Sequence, residues 1–352
     1  MGLSQHTSGA VKALVVVAAL FIILAGIKSA SNILVPFLLS VFIAITCNPI
    51  VAKASEYKVP KPISVILVIV IFVSIALSVA GLVGNSLNQL SQLLPEYRAQ
   101  LKEELVWLPE KLAEYNIAMS PKLLIEYFDP GAAMGLAADM LSGLGGVMAN
   151  LFLIIITVIF MLFEASSLPK KVHLAMDDPE MRLGQIDRFL SSVNHYLAIK
   201  TMVSLGTGIL VSFMLWAVGL DFFLLWGVLA FLFNYVPNIG SIIAAVPAMS
   251  LALLQLNPAT AGLIGLGYVA INMVMGNVIE PRYLGRGLGL STLVVFLSLI
   301  FWGWLLGTVG MLLSVPLTMV IKIALESSNE GKWFAVLLSG EEEVQEKVKE
   351  FS

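Results

Sequence analysis

Charge is scarce in this chain. Of its 352 residues only 12% are Asp, Glu, Lys or Arg, about half the ~25% usual in a soluble domain. Burial in one soluble core does not account for that deficit. A single cysteine, Cys47, excludes an internal disulfide, and its apolar surroundings make it a small packed side chain. The three histidines are His6, His173 and His195, and no HExxH, paired CxxC or Cys/His cluster accompanies them. A metal site therefore has no sequence support, and no cofactor is expected. No GxxxxGK[ST] stretch occurs, which removes the basis for direct ATP drive. A net charge of −3 gives no reason to expect a nucleic-acid partner.

Apolar sequence fills the space that charge leaves. Hydrophobic residues make up 59% of the chain, and the mean hydropathy is +0.94. Residues 13–27, 33–52, 63–84, 144–163, 201–220, 222–233, 239–256, 259–279 and 291–321 are almost free of charge. Roughly 20 helical residues cross the ~30 Å core of a bilayer. The fold class is therefore all-α: a polytopic transmembrane protein with about eight membrane segments, some broken or re-entrant, and two amphipathic helical insertions. The first apolar run has no clear small-residue cleavage site and more spans follow it, so it reads as a retained helix.

Basic residues orient the chain. Lys53, Lys58 and Lys61 fall in one connection, Lys170, Lys171, Arg182, Arg188 and Lys200 in a second, and Arg282 and Arg286 in a third. The alternate connections, near 28–32, 219–221 and 257–259, offer only Lys28. An N-terminus in the cytoplasm puts all three basic stretches inside. The expected division is N-terminal transmembrane helices (1–84), a hydrophilic amphipathic insertion (85–143), a transmembrane helix (144–164), a cytoplasmic helical insertion (165–200), a C-terminal transmembrane bundle with broken helices (201–325) and a cytoplasmic tail (326–352).

The 85–143 insertion carries eight Asp/Glu against four Lys/Arg. Leu87, Leu90, Leu94, Tyr97, Leu101, Leu105 and Leu108 recur at gaps of three and four, one face of a helix. Pro95 and Pro109 are expected to break that helix. The face packs on its own protomer, lies at the membrane surface, or packs on a neighbouring subunit. In the second insertion a helix is expected after Asp178-Pro179. The tail "GEEEVQEKVKEF" reads as a solvated helix, and Trp333 and Phe334 beside Lys332 as interfacial anchors.

Several apolar runs are unsuited to simple spans. About 12 apolar residues precede Asn234, only about 18 Å of helix. Asn-Tyr-Val-Pro-Asn-Ile-Gly follows, where Pro237 removes a backbone donor and Gly240 permits unusual dihedrals. Freed backbone groups in a membrane must be satisfied by protein or by water in a cavity, and broken helices of this kind line substrate paths in transporters. The 291–321 run is too long for one span and holds Gly303, Gly307 and Gly310 in its middle. It reads as a helical hairpin or re-entrant pair.

"GNVIEPRYLGRGLGLS", residues 276–291, sets Glu280, Arg282 and Arg286 among four glycines between apolar walls. Three such charges exposed to lipid would cost roughly 8–10 kcal/mol, so they lie at an interface or in a protein-lined cavity. One reading is a cytoplasmic turn, with Pro281 ending a helix. The other is a polar site. Asn277 and Glu280, three apart, would share a helix face, with Asn272 loosely on it. Glu164 at the end of its apolar run marks a helix end or a titrating group. Asn234 and Asn238 around Tyr235 and Pro237 either bond freed backbone groups or line a path.

"NYVPNIGSIIAAVP" (234–247), "GNVIEPRYLGRGLGLS" (276–291) and "FLSLIFWGWLLGTVGMLLSVPLT" (296–318) together resemble the autoinducer-2 exporter family of bacterial inner-membrane proteins, over about residues 12–338. The resemblance implies a multi-pass inner-membrane protein that exports a small polar signal, autoinducer-2, from the cytoplasm. It implies homo-oligomers, the pentamer foremost. It brings no catalytic set, and related proteins have also been regarded as sodium–proton antiporters. The substrate path or gate is thus expected at Asn234, Tyr235, Pro237, Asn238, Gly240, Asn272, Asn277, Glu280, Arg282 and Arg286.

Three functions compete. An exporter would meet neutral hydroxyls with Asn, Ser and Tyr, and a borate anion with an arginine. A sodium/proton antiporter would titrate Glu280 or Glu164, although cation transport favours carboxylates deep in the bilayer. A non-transporting membrane scaffold would need only dry helix contacts. An intramembrane enzyme is not expected, because Ser241 has no base at hand.

Overall fold

The computed structural model describes residues 9–104, 148–175, 179–236, 240–284, 289–326 and 331–341, with isolated positions between 135 and 146 and at 328 and 344–345. Among these residues every regular element is a helix. Five helices there are long and apolar enough to cross a membrane, and shorter apolar helices lie between them. Most of the 105–147 insertion (Leu105, Leu108 and Pro109 included), Asp178, Pro237, Asn238, Arg286 and most of the charged tail lie outside the described residues.

The N-terminal third consists of three helices: α1 (Gly9–Ser29), α2 (Ser31–Glu56) and α3 (Lys61–Glu104). Between Lys12 and Lys28 α1 is uniformly apolar, and Leu14, Phe21 and Ile22 are each more than 70% exposed, as lipid-facing side chains are. α2 runs through Pro36 and Pro49 without ending. α3 likewise continues through Pro95, contrary to the break expected there. A proline removes one intrahelical bond, and the turns around it are fixed from outside. Leu90 and Tyr97 are buried against the later helices, with Leu87 beside them, so this amphipathic face packs on its own protomer.

α4 (Leu151–Glu164) packs on α2 and α3 through Ile154, Val158 and Leu162. The short α5 (Leu168–Ala175) follows, then α6 (Pro179–Val218), which is 40 residues long. Proline suits the first turn of a helix because its missing N–H is not needed there. The 165–200 insertion and the following span therefore share one helix, and the boundary expected at 200/201 falls inside α6.

The second half holds two hairpins. α7 (Phe223–Phe233) and α8 (Gly240–Gln255) form the first, and α7 covers only about 16 Å with its 11 residues. A Cβ on Gly240 would lie 1.7 Å from Phe233 O, so only glycine lets the chain reverse this tightly. α9 (Pro258–Val274), started by Asn257, whose side chain accepts from Thr260 N–H, runs into a π-helical turn, Met275–Ile279, and then α10 (Glu280–Leu284).

α11 (Thr292–Leu312) and α12 (Ser314–Glu326) form the second hairpin. It bends at Gly307, whose φ of 70° and ψ of −153° no side-chain-bearing residue adopts readily. Behind the bend the chain folds onto itself. Gly303 sits against Met311, Gly310 against Trp302 O, and Trp302 Nε1 donates to Thr318 Oγ1 at 3.0 Å. The hairpin read in 291–321 is thus present. α13 (Lys332–Leu338) follows.

With no solvent to drive helices together in lipid, close packing of small residues does so. α6 and α7 meet at Gly208 and Gly227, where a Cβ on either would stand 2.8 Å from the other's carbonyl oxygen. That crossing fixes the polar residues one and two turns further along α6.

Candidate functional site

α6 carries a polar stripe in its middle. Lys200, Ser204 and Thr207 lie four and three residues apart, on one face, and are 3%, 0% and 4% exposed. Thr207 spends its hydroxyl on its own helix, donating to Val203 O at 2.9 Å. The neighbouring positions reach across to other helices.

Asn234, the residue after α7, is buried and donates from Nδ2 to Ser204 Oγ at 2.9 Å. Tyr235 donates its hydroxyl to Thr201 Oγ1 at 2.7 Å, and Thr201 in turn donates to Leu197 O. Lys200 Nζ donates to both Glu280 carboxylate oxygens, at 2.8 and 2.9 Å. Its side chain is 4% exposed and that of Glu280 18%. The seam therefore joins three places distant in sequence: the middle of α6, the tip of the α7–α8 hairpin and the junction of the π turn with α10.

The electrostatics follow from that burial. Ile199, Val203 and Met275 form an apolar cluster beside the pair, flanked by Ile271 and Ile279. A lone ammonium or carboxylate in such a place is strongly unfavourable, and only pairing makes either tolerable. The pair closes on both oxygens, so each charge is met by charge-assisted hydrogen bonds.

The π turn decides which residues point at α6. In a continuous α-helix Asn277 and Glu280, three apart, would share a face. A π turn holds more residues, so the two diverge: Asn277 is exposed and Glu280 turns inward. Asn272 is half-buried and Arg282 exposed. Of the expected path residues, the structure thus gathers Asn234, Tyr235 and Glu280 on α6, with Gly240 at the base of the same hairpin tip. Asn277 and Arg282 are turned outward, and Pro237, Asn238 and Arg286 lie outside the described residues.

Lys200, Thr201 and Ser204 were not expected in the site. The spacing 200, 204, 207 of polar residues at the head of an apolar run is the unread signal for Lys200 and Ser204, and Thr201 carries none. Glu164 ends α4, exposed and paired with Lys171, with Ser167 donating to it. Lys61 covers the same helix end by donating to Phe163 O at 3.0 Å.

The far end of the glycine-rich stretch is fastened separately. Gly289 has φ of 65° and accepts from buried Lys322 Nζ at 2.6 Å. Ser291 N–H donates to Leu338 O and Gly340 N–H to Gly289 O. The C-terminal segment thus clamps the base of the second hairpin.

This architecture has counterparts among known proteins. Residues 13–330 match the family described as AI-2E family transporter. The chain is 45% identical to the AI-2 transport protein TqsA of Escherichia coli, over 95% of its own length and 97% of that protein. It is also 45% identical to a putative transport protein of Haemophilus influenzae, over 93% and 96% of the two chains. With the putative transport protein YhhT of Escherichia coli it shares 42% identity, over 91% and 92%. A polytopic helical chain with a buried polar seam and near-complete alignment to these relatives belongs to the AI-2E family of transporters, multi-pass proteins of the bacterial inner membrane.

Proposed function

We propose that the protein exports autoinducer-2, a small polyhydroxylated ring compound, from the cytoplasm. The observation that carries this reading is the seam itself. Hydrogen-bonding side chains from Asn234, Tyr235, Thr201 and Ser204 meet at a helix break, with Asn234 and Ser204 buried, Tyr235 half-buried and Thr201 exposed. Amide and hydroxyl groups suit neutral hydroxyls, and they exchange partners at little net cost because each hydrogen bond lost is replaced by one to the solute. The relative named as an AI-2 transport protein supports the substrate.

The family and the names of the relatives also support a role that is not enzymatic. We further infer a homo-oligomer, the pentamer implied by the family resemblance, which native mass measurement in detergent would count directly.

The test is autoinducer-2 flux across liposomes containing only the purified protein, with and without a proton or sodium gradient, beside Glu280→Gln. Flux without a gradient indicates a facilitator, and flux that requires one indicates coupled transport. A sodium/proton antiporter is the second reading. Its support is the half-buried Glu280 carboxylate, whose ammonium partner a proton or sodium ion would have to displace. Sodium flux from intact protein with no autoinducer-2 flux under any condition would replace the first reading by the second.

A further inference from the structure

We propose that Lys200 is a positioning residue of the transport cycle: it holds the π turn before Glu280 in register, and the Lys200–Glu280 pair is the latch of a cytoplasmic gate. The inference rests on the protein being a transporter and not on which solute it carries.

A π turn is an α-helix with one residue too many, and it persists where something outside the helix holds it. Here both ends of the five-residue turn are fastened to α6. At its start Met275 is buried, with its Cε only 2.7 Å from where a Cβ of Gly206 would be, so the methionine fits where glycine leaves room. At its end Glu280 meets Lys200 through both carboxylate oxygens.

The two features depend on one another. Each residue of an α-helix advances about 100° around the axis. If the extra residue were absorbed and the turn became α-helical, Ile279 would come to the place Glu280 now occupies. Glu280 would turn about 100° away. The ammonium of Lys200 would then face an isoleucine. The pair thus stabilises the π register, and loss of the pair releases it. The turn has two discrete arrangements, and the charge pair selects between them.

What moves with the turn gives the latch its consequence. Beyond Glu280 lie Pro281, the single helical turn of α10 and then the connection to Gly289, where Lys322 and the Leu338–Gly340 segment hold the second hairpin. The same face of α6 carries Thr201 and Ser204, which hold the tip of the first hairpin. Lys200 therefore sits where α6, the first hairpin and the approach to the second adjoin. Closed, the pair seals buried Ser204 at that end of the seam, while Thr201 beside it stays exposed. Open, it uncovers Ser204 from that side.

The experiment uses the full chain in liposomes and two readouts. The first is amide hydrogen exchange of the wild-type protein, which needs neither a substrate nor a variant. If the turn opens in the native state, amides of 275–280 exchange at least roughly tenfold faster than those of 264–271 in the same helix. Equal protection of the two stretches would overturn the proposal. The second readout is autoinducer-2 flux of Lys200→Met/Glu280→Gln, which removes both charges and leaves neither unpaired. The expected result is a melting temperature within about 3 °C of wild type and flux reduced at least roughly tenfold. Lys200→Arg, which keeps the charge and can meet both carboxylate oxygens with its guanidinium, is expected to retain most of the flux. A folded double variant with wild-type flux would reduce the pair to a static structural contact and sink the latch. If wild type itself moves no autoinducer-2, the substrate reading fails, and the exchange comparison alone decides the latch.

Discussion

Gly240→Ala tests the first hairpin at its tightest point. An alanine Cβ there would lie 1.7 Å from Phe233 O and 2.6 Å from Phe233 C, where ordinary contact begins at 3.4 Å. The obstacle is backbone in the last turn of α7, so no rotamer change relieves it. The tip must open by about 1.7 Å, the difference between the two distances. That movement acts on the residues just after Phe233. Asn234 would leave Ser204 and Tyr235 would leave Thr201. Overpacking costs ~1–3 kcal/mol and each lost hydrogen bond ~0.5–1.5 kcal/mol, which together give ~2–6 kcal/mol. Thermal unfolding of the purified protein in detergent should fall by several degrees, and flux in liposomes should fall with it. Gly262→Ala is the control: it lies within α9 with nothing within 4 Å of the new methyl. It should be neutral or stabilising by up to about 1 kcal/mol through helix propensity. If Gly240→Ala unfolds at the wild-type temperature, the close reversal at the hairpin tip is wrong, and the placing of Asn234 and Tyr235 on α6 goes with it.

Other substitutions probe the remaining supports. Gly307→Ala meets open space, yet its backbone lies in a region reserved for glycine. A loss of ~1–3 kcal/mol on melting is therefore expected, and no loss would argue against the bend. Gly227→Ala would set a Cβ 1.7 Å from Ser212 Oγ and 2.8 Å from Gly208 O, for a loss of ~1–3 kcal/mol. Adding Ser212→Gly should recover only part of it, because the Gly208 carbonyl remains; full recovery would mean the two backbones are further apart. Tyr97→Phe removes the 2.7 Å bond to Asp221 that ties α3 to the turn before α7. It should cost about 1 kcal/mol and speed amide exchange in residues 87–97, and unchanged exchange there would detach α3 from that turn.

The elements legible in the sequence are those that a bilayer forces on composition. Long charge-free runs gave the spans because nothing else fills 30 Å of hydrocarbon. The short run before Asn234 pointed to a helix break, which is a hairpin in the structure, and the glycines within 291–321 pointed to a hairpin or re-entrant pair, because a chain that enters lipid must satisfy its backbone or turn back. Pro95 misled because a proline's local penalty is small beside the packing of Leu90 and Tyr97 on either side of it.

The site was legible only in part, and the reason is specific. Asn234 and Tyr235 stood out because polar residues interrupt an apolar run there. Glu280 stood out for the same reason, but its direction did not: the pairing of Asn277 with Glu280 assumed 3.6 residues per turn, and no rule of composition announces a π turn. Lys200 was hidden by a different effect. A lysine at the cytoplasmic end of a span satisfies the positive-inside rule, so its charge already had an explanation and called for no partner. Burial is what separates the two roles. A topogenic lysine keeps its ammonium in water or among headgroups, whereas the Lys200 side chain is 4% exposed and spends its donors on Glu280. Charges at the ends of spans are thus where orientation signals and functional pairs look alike in sequence. The distinguishing mark in this chain is the series Lys200, Ser204, Thr207: a charge that merely orients a helix has no need of hydroxyls one and two turns further into the membrane on the same face.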